Sequence, residues 1–259
     1  MIHRPLQRRS RIAGWSRALG AFAVPLVVIV LVGLRLDQMS PDQALVLGAV
    51  AVAFAAVALV LGAAAAALIW HDGRLGARNA VFGMIWATLA LAPAAGLALL
   101  WASHPRLVDV ATDAVDPPLF RAAAFARVGR ANSPTAPDVD ERTRVRALTP
   151  DLAPRRFSVG SDLLFAVTRR RVEAEGWTIT DLAPPRGDGD RGRIEAIARS
   201  PILGLADDVV IRILPEPSGA RIDMRSSIRW GDHDLGRGAR RIRAFLDDLD
   251  KAVTETYGR

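Results

Sequence analysis

The residues best suited to catalysis or ligand binding lie in the last third of the chain. His233 stands between two aspartates, Asp232 and Asp234, and Asp208 follows another aspartate at the start of an earlier predicted strand. A histidine beside carboxylates is suited to general acid–base catalysis, because its ordinary pKa lies near neutrality. His233, Asp208 and Asp234 are therefore the candidate catalytic residues of a hydrolase-like enzyme that uses Asp and His residues around 207–234.

The rest of the sequence favours binding over catalysis. It contains no Gly-x-Ser-x-Gly elbow, no His-Glu-x-x-His helix and no phosphate loop. It also contains no cysteine, which excludes disulfides, thiol catalysis and Cys-ligated metals. We predict no cofactor and no metal site. Because no nucleophile with an oriented partner can be assembled, the enzyme hypothesis remains the alternative to a binding or assembly module.

Three arginines form a second candidate site. Arg212, Arg225 and Arg229 share one face of the predicted strands, and a guanidinium group matches the geometry of carboxylates and phosphates. These residues are the candidates for binding an anionic headgroup or an envelope protein. Two alternatives stay open. The face is either solvated and crossed by weak ion pairs, or covered by the proline-rich segment that precedes the domain.

The elements that position these residues follow from hydrophobic periodicity. Ser161 is a predicted N-cap, and a helix ends at Gly176. Alternation of apolar and polar residues predicts strands over 177–182, 193–200, 207–214 and 221–230, joined by short turns. An amphipathic helix capped by Asp234 or Asp232 follows. Residues 159–259 are thus predicted to form an α+β domain, an antiparallel four-stranded meander with two helices on one face.

Alternation also assigns strand residues to the two faces of this sheet. The residues predicted to face the helices are Ile194, Ala196, Ala198, Val209, Ile211, Ile213, Ile222, Met224 and Ile228. The residues predicted to face the other way are Glu195, Arg199, Asp208, Arg212, Asp223, Arg225, Ser227 and Arg229.

Residues 103–158 form a lead segment that contains seven prolines, so no long regular element is expected there. Two stretches, 109–120 and 148–152, are predicted to be ordered because their Asp and Thr side chains can cap turns. Phe120 is a candidate anchor into a core.

The first part of the chain has the composition of a membrane-spanning region. Residues 1–102 carry 11 charged side chains, whereas the remaining residues carry 50. Three uncharged runs, 18–34, 44–70 and 80–102, are 17, 27 and 23 residues long. Each is long enough to cross the hydrocarbon core. No Ala-x-Ala-like cleavage site follows the first run, so it is predicted to be an uncleaved helix.

The flanking charges predict the orientation of these spans. Residues 1–17 form a basic N-terminus with five arginines, the first loop has one arginine and the second loop has two. The positive-inside rule places the N-terminus and second loop in the cytoplasm, and the C-terminal domain outside it. The net charge of +7 is mostly membrane-flanking, since residues 1–102 contribute +5. We therefore predict the lipid bilayer as a partner and no nucleic acid.

Small residues in the spans favour close helix–helix contact. Gly62 with Ala66 and Gly83 with Ala87 stand one turn apart. Such spacings indicate either a compact three-helix hairpin or a homo-oligomer that associates through the transmembrane helices.

Short motifs spread over about 105–250 resemble a bacterial family catalogued as domain of unknown function 1499. The matching pieces are Asp109-Val-Ala-Thr-Asp, Asp116-Pro-Pro-Leu-Phe, Thr149-Pro-Asp-Leu, Gly176-Trp, Ile194-Glu-Ala, Ala206-Asp-Asp-Val-Val-Ile-Arg, Asp223-Met-Arg-Ser, Arg229, Asp234-Leu-Gly and Arg241-Ile. The resemblance implies an envelope protein, in this case a multi-pass protein of the bacterial inner membrane with a periplasmic C-terminal domain. It implies no catalytic roles.

Overall fold

The computed structural model describes residues 9–127, 132–135, 137–186 and 190–258. Within these residues the chain divides into two compact units. The first comprises residues up to 100 together with 202–204, and the second comprises 101–201 and the residues from 205 onward. Residues 1–8, which include Arg4 and Arg8 of the basic N-terminus, lie outside the described residues.

The first unit consists of three long apolar helices. Helix α1 spans Arg11–Arg35, α2 spans Pro41–Asp72 and α3 spans Ala77–Ser103. Each is long and apolar enough to cross a membrane, as the sequence predicts. Helix α2 begins at a capping box in which Ser40 and Gln43 each accept a hydrogen bond from the other's backbone, and it ends at Gly73 in the left-handed conformation.

Small side chains bring the three helices together. Ser16 of α1 donates a hydrogen bond to the carbonyl of Ala58 in α2 at 2.8 Å. A Cβ added to Gly83 of α3 would lie 2.1 Å from the Ser16 hydroxyl and 2.8 Å from the backbone nitrogen of Arg17. Gly62 is likewise buried within the unit. These residues are thus used inside one chain, as in the compact hairpin, and association between chains stays a prediction.

The second unit is built on one antiparallel sheet. Strands β3 (Thr178–Ala183), β4 (Gly192–Arg199), β5 (Ala206–Glu216) and β6 (Gly219–Ile228) form the predicted meander. Two short strands from the lead segment extend it, namely β1 (Asp109–Ala111) and β2 (Arg155–Phe157). Both pair with the outer edge of β6, which makes a six-stranded sheet instead of the four strands predicted.

Helices α6 (Ser161–Ala174) and α7 (Arg237–Tyr257) cover the apolar face of the sheet, and the predicted alternation of β4, β5 and β6 is confirmed. Trp177 stacks on Phe245 of α7 with ring centroids 5.1 Å apart. The buried residues that β4, β5 and β6 contribute to this core are Ile194, Ala196, Ala198, Val209, Ile211, Ile213, Ala220, Ile222 and Met224. Ile228, which is also predicted to face the helices, is buried but lies outside this core cluster.

The lead segment covers the opposite, charged face. It contributes α4 (Ala122–Ala126) and α5 (Val139–Leu148), neither of which the sequence predicts, besides β1 and β2. Phe120 and Ala123 pack on Val210 of β5. The interpretation of this face as solvated is wrong, because Glu195 and Arg225 are almost completely buried. The alternative in which the lead segment packs over the face is correct.

Two predicted caps need correction. Gly160, and not Ser161, is the N-cap of α6, and Ser161 is the first helical residue. Helix α7 begins at Arg237 after Gly236, whose φ of 69° places it in the left-handed region that glycine tolerates. Asp234 still satisfies that end of the helix, because its carboxylate accepts from the backbone nitrogens of Gly236 and Gly238 at 2.8 and 2.9 Å.

Candidate functional site

Arg225 lies at the centre of the covered face and is fully buried. Its Nε and Nη2 each donate to a carboxylate oxygen of Asp109 at 2.8 Å, which is the bidentate geometry that arginine favours. Further hydrogen bonds reach the carbonyls of Pro118 at 3.1 Å and Thr135 at 2.8 Å. The guanidinium carbon also lies 4.7 Å from the ring centroid of Phe120. The charge of Arg225 is therefore neutralised by the lead segment.

Arg212 is the second predicted binding residue, and it too is paired. Its Nη2 lies 2.7 Å from Asp223 Oδ2, and its Nη1 lies 2.8 Å from Asp116 Oδ2. Burial lowers the pKa of Arg212, but pairing with Asp223 and Asp116 outweighs it, so that the net shift is upward. Arg212 thus connects β5 and β6 to the lead segment.

At Asp223 the effect of burial on the pKa outweighs the effect of ion pairing. Burial raises the pKa of its carboxyl above the ordinary value, against the lowering effect of Arg212 and Arg221. The folded state consequently binds a proton at Asp223 more tightly than the unfolded chain does. This contribution to stability is present below the ordinary carboxyl pKa and is lost as the pH rises through the raised value.

Asp208, a candidate base, lies between two arginines. Arg229 contacts both carboxylate oxygens of Asp208 at 2.7 and 3.0 Å, and Arg127 donates to it at 2.8 Å. The Asp208 side chain is almost fully buried. Both carboxylate oxygens of Asp208 are thus already engaged by guanidinium groups of the domain itself.

His233 has a hydrogen bond at each ring nitrogen. Its Nδ1 accepts from the backbone nitrogen of Leu235 at 2.9 Å, and its Nε2 lies 3.1 Å from the carbonyl oxygens of Trp101 and His104. Since carbonyls only accept, these contacts assign the proton to Nε2. Nδ1, the nitrogen that a general base would use to accept a proton, therefore already accepts a hydrogen bond from the backbone nitrogen of Leu235.

The three catalytic candidates have separate partners. Asp234 accepts from the backbone at the start of α7, Asp208 pairs with arginines and His233 binds carbonyls. The structure does not assemble them into a shared site. Asp232, the other neighbour of His233, pairs instead with Arg106 at the surface.

The residue that sequence reasoning missed is Glu195 of β4. Its carboxylate is buried and accepts backbone hydrogen bonds from Arg121, Ala122 and Ala123 at 2.6, 2.8 and 3.3 Å. It thereby satisfies the free backbone donors at the start of α4. The available signal was a glutamate between two core-facing residues, Ile194 and Ala196, on an otherwise buried strand.

A metal centre is not evident in the described parts of the chain. No group of three or more His, Asp or Glu side chains there is arranged to hold a metal ion. A recess bordered by Asp109, Pro117 and Arg142 has room for about one water molecule.

Comparison with known families assigns most of the second unit to one family. Residues 109–249 match the model of a family described as protein of unknown function (DUF1499). The chain belongs to this family. The DUF1499 region begins at Asp109, the partner of Arg225, and ends within α7, so it contains both the sheet and the segment that covers it. No curated protein matches the chain.

Proposed function

We propose that this protein is a multi-pass protein of the bacterial inner membrane whose periplasmic DUF1499 domain is a binding or assembly module for another envelope protein. The candidate catalytic and binding residues already form hydrogen bonds or ion pairs within the domain. The outer surface of the lead segment is therefore the part that remains for recognition. The partner is expected to present an apolar groove bordered by acidic residues. We expect it to contact Phe125, Leu119 and Arg121.

The observation that carries this proposal is the exposure of Phe125. Its side chain is 89% exposed on α4, and Leu119 nearby in the sequence is 61% exposed. Helix α4 is fixed to the sheet by Glu195, so this aromatic side chain is presented by an anchored segment. Exposed Arg121 stands between the two. Aromatic side chains and arginine are enriched in protein interfaces, where they supply most of the binding energy.

The hydrolase-like alternative has less support. His233 and Asp208 would have to release their present hydrogen bonds before either could accept a proton from a substrate. The anion-binding alternative meets a similar obstacle at Arg225, whose partners already include a carboxylate and two carbonyls. An interface on the outer surface requires neither change.

Site-specific photo-cross-linking tests the proposed interface. Benzoylphenylalanine placed at Phe125 or Leu119 of the full-length protein in living cells is expected to give one adduct of the same mass at both positions. Leu163 of α6 is a matched control, because it is 41% exposed but lies outside the lead segment, and it should give no such adduct. Immunoblotting of the full-length chain provides the measurement.

A competing substitution sharpens this test. The adduct formed from position 119 should disappear in the Phe125→Asp variant, because a charge there opposes burial of the same surface. Equal adducts at all three positions would show non-specific contact. An adduct with twice the mass of the chain would assign the surface to a second copy instead of another protein.

The proposed orientation can be measured with single cysteines, since the chain contains none. In intact spheroplasts a membrane-impermeant maleimide is expected to label the Gln38→Cys and Glu255→Cys variants. It should label the His71→Cys variant only after lysis. All three positions are exposed, so access is set by the membrane and not by packing. This labelling pattern is expected because the N-terminus and the second loop carry more arginines than the first loop does.

The opposite pattern would reverse the orientation. If His71→Cys reacts in intact spheroplasts and Glu255→Cys does not, the DUF1499 domain is cytoplasmic and the envelope partner is excluded. Labelling after detergent lysis confirms that each thiol is reactive.

A further inference from the structure

One end of the three-helix unit concentrates positive charge. The backbone nitrogen of Ser10, just before α1, donates to the carbonyl of Leu75 at 2.9 Å, and Arg9 forms a bridge with the same residue. This contact brings the start of α1 beside the loop that leads into α3. Arginines from two distant parts of the sequence are therefore neighbours at this end.

Arg17 and Arg78 converge on one aromatic ring. Their guanidinium carbons lie 5.9 and 5.7 Å from the ring centroid of Phe82. Arg17 also donates to the side-chain oxygen of Asn79 at 3.2 Å. Cation–π contacts at this distance are favourable for each arginine singly, but two cations on one ring repel each other.

The described residues provide no carboxylate within ion-pair distance of Arg17 or Arg78. Their neighbour Arg74 differs, because it pairs with Asp72 at 2.7 Å. In the second unit, Arg212, Arg225 and Arg229 are each neutralised by aspartates. The pair on Phe82 thus has donors and charge for an anion that the described chain does not supply.

The surroundings indicate the source of that anion. Trp15 is exposed near Arg17, and Trp86 follows Phe82 by one helical turn, so amphipathic rings flank the arginines as they do at membrane–water interfaces. Basic pockets between transmembrane helices are suited to phospholipid headgroups. The side-chain amide nitrogen of Asn79 offers a further donor to a phosphate oxygen.

We propose that Arg17, Arg78, Asn79 and Phe82 form a binding site for the phosphate of an anionic phospholipid headgroup. The site joins α1 to α3 through the lipid. It is independent of the envelope partner and of the orientation of the DUF1499 domain, because it lies wholly within the three-helix unit.

Native mass spectrometry of the full-length protein tests the site. In a detergent titrated with dioleoylphosphatidylglycerol, the Arg17→Gln and Arg78→Gln variants are each expected to weaken lipid binding about fivefold. The double variant should weaken it by about 20-fold. Dioleoylphosphatidylcholine should bind more weakly than phosphatidylglycerol to the unchanged protein and respond little to either substitution.

Two controls remove the same charge elsewhere. Arg74→Gln removes an arginine at the same end that already has an aspartate, and Arg35→Gln removes one at the opposite end of α1. Both should change phosphatidylglycerol binding less than twofold. An equal loss in these controls would assign the effect to net charge and overturn the site. Displacement of the lipid by millimolar inorganic phosphate would overturn its assignment to a lipid headgroup.

Discussion

Replacing Arg225 by methionine is expected to lower the free energy of unfolding of the DUF1499 domain by about 3–5 kcal/mol, which is typical of breaking a buried ion pair. The substitution leaves the Asp109 carboxylate buried without its cation. It also removes the hydrogen bonds to Pro118 and Thr135 that hold the lead segment on the sheet. Pulse proteolysis of the full-length protein in micelles, at increasing urea, measures the change.

The matched control for this prediction is Arg156→Met. Arg156 pairs with Glu216 on the same sheet, but its side chain is 68% exposed. An exposed ion pair contributes under about 1 kcal/mol, so the midpoint of unfolding should move little. If Arg225→Met costs no more than Arg156→Met, the buried pair does not stabilise the domain. The double variant Arg225→Met with Asp109→Leu should regain much of the loss, because no unpaired charge remains.

Replacing Glu195 by alanine is expected to detach α4 from the sheet, at a cost of about 3 kcal/mol, since each buried donor left unsatisfied costs about 1–3 kcal/mol. Three backbone donors, on Arg121, Ala122 and Ala123, lose their acceptor. They can recover hydrogen bonds from water if the segment leaves the sheet. Hydrogen exchange measured by mass spectrometry should therefore show faster exchange over residues 119–127.

This loss should be local. Peptides from the centre of β5, around Ile211, are expected to keep their protection, because the apolar core on the other face of the sheet is unchanged. Glu216→Ala is the control, as its carboxylate pairs only at the surface, and it should leave residues 119–127 protected. Faster exchange throughout the domain would instead show that Glu195 supports the whole sheet.

Much of this architecture could be predicted from the sequence wherever one face of an element is apolar. Ile211 and Met224 are core residues because strand alternation requires it, and Ile242, Leu246 and Leu249 follow the helical period of α7. The three helices that are apolar enough to cross a membrane follow from length and composition alone. In each case a pattern within a short stretch of sequence is enough to predict the element and its buried face.

The covered face could not be predicted in the same way. Alternation places Arg225 opposite the core but does not tell whether water or another segment lies beyond it. Its partner Asp109 is 116 residues away, and a three-residue strand such as β1 is too short to show a period. The roles of Asp208 and His233 depend on contacts with Arg127 and with the carbonyl of Trp101, which no spacing in the sequence reveals.

The pairing of both lead strands with the edge of β6 has a consequence for biogenesis. Strand β1 is synthesised long before β6, so the edge that they share cannot close until nearly the whole domain has been made. Contacts between such distant residues form slowly. Until β1 and β2 dock on it, the free edge of β6 can accept a strand from another chain. Docking of the lead segment therefore removes a free strand edge at which another chain could pair.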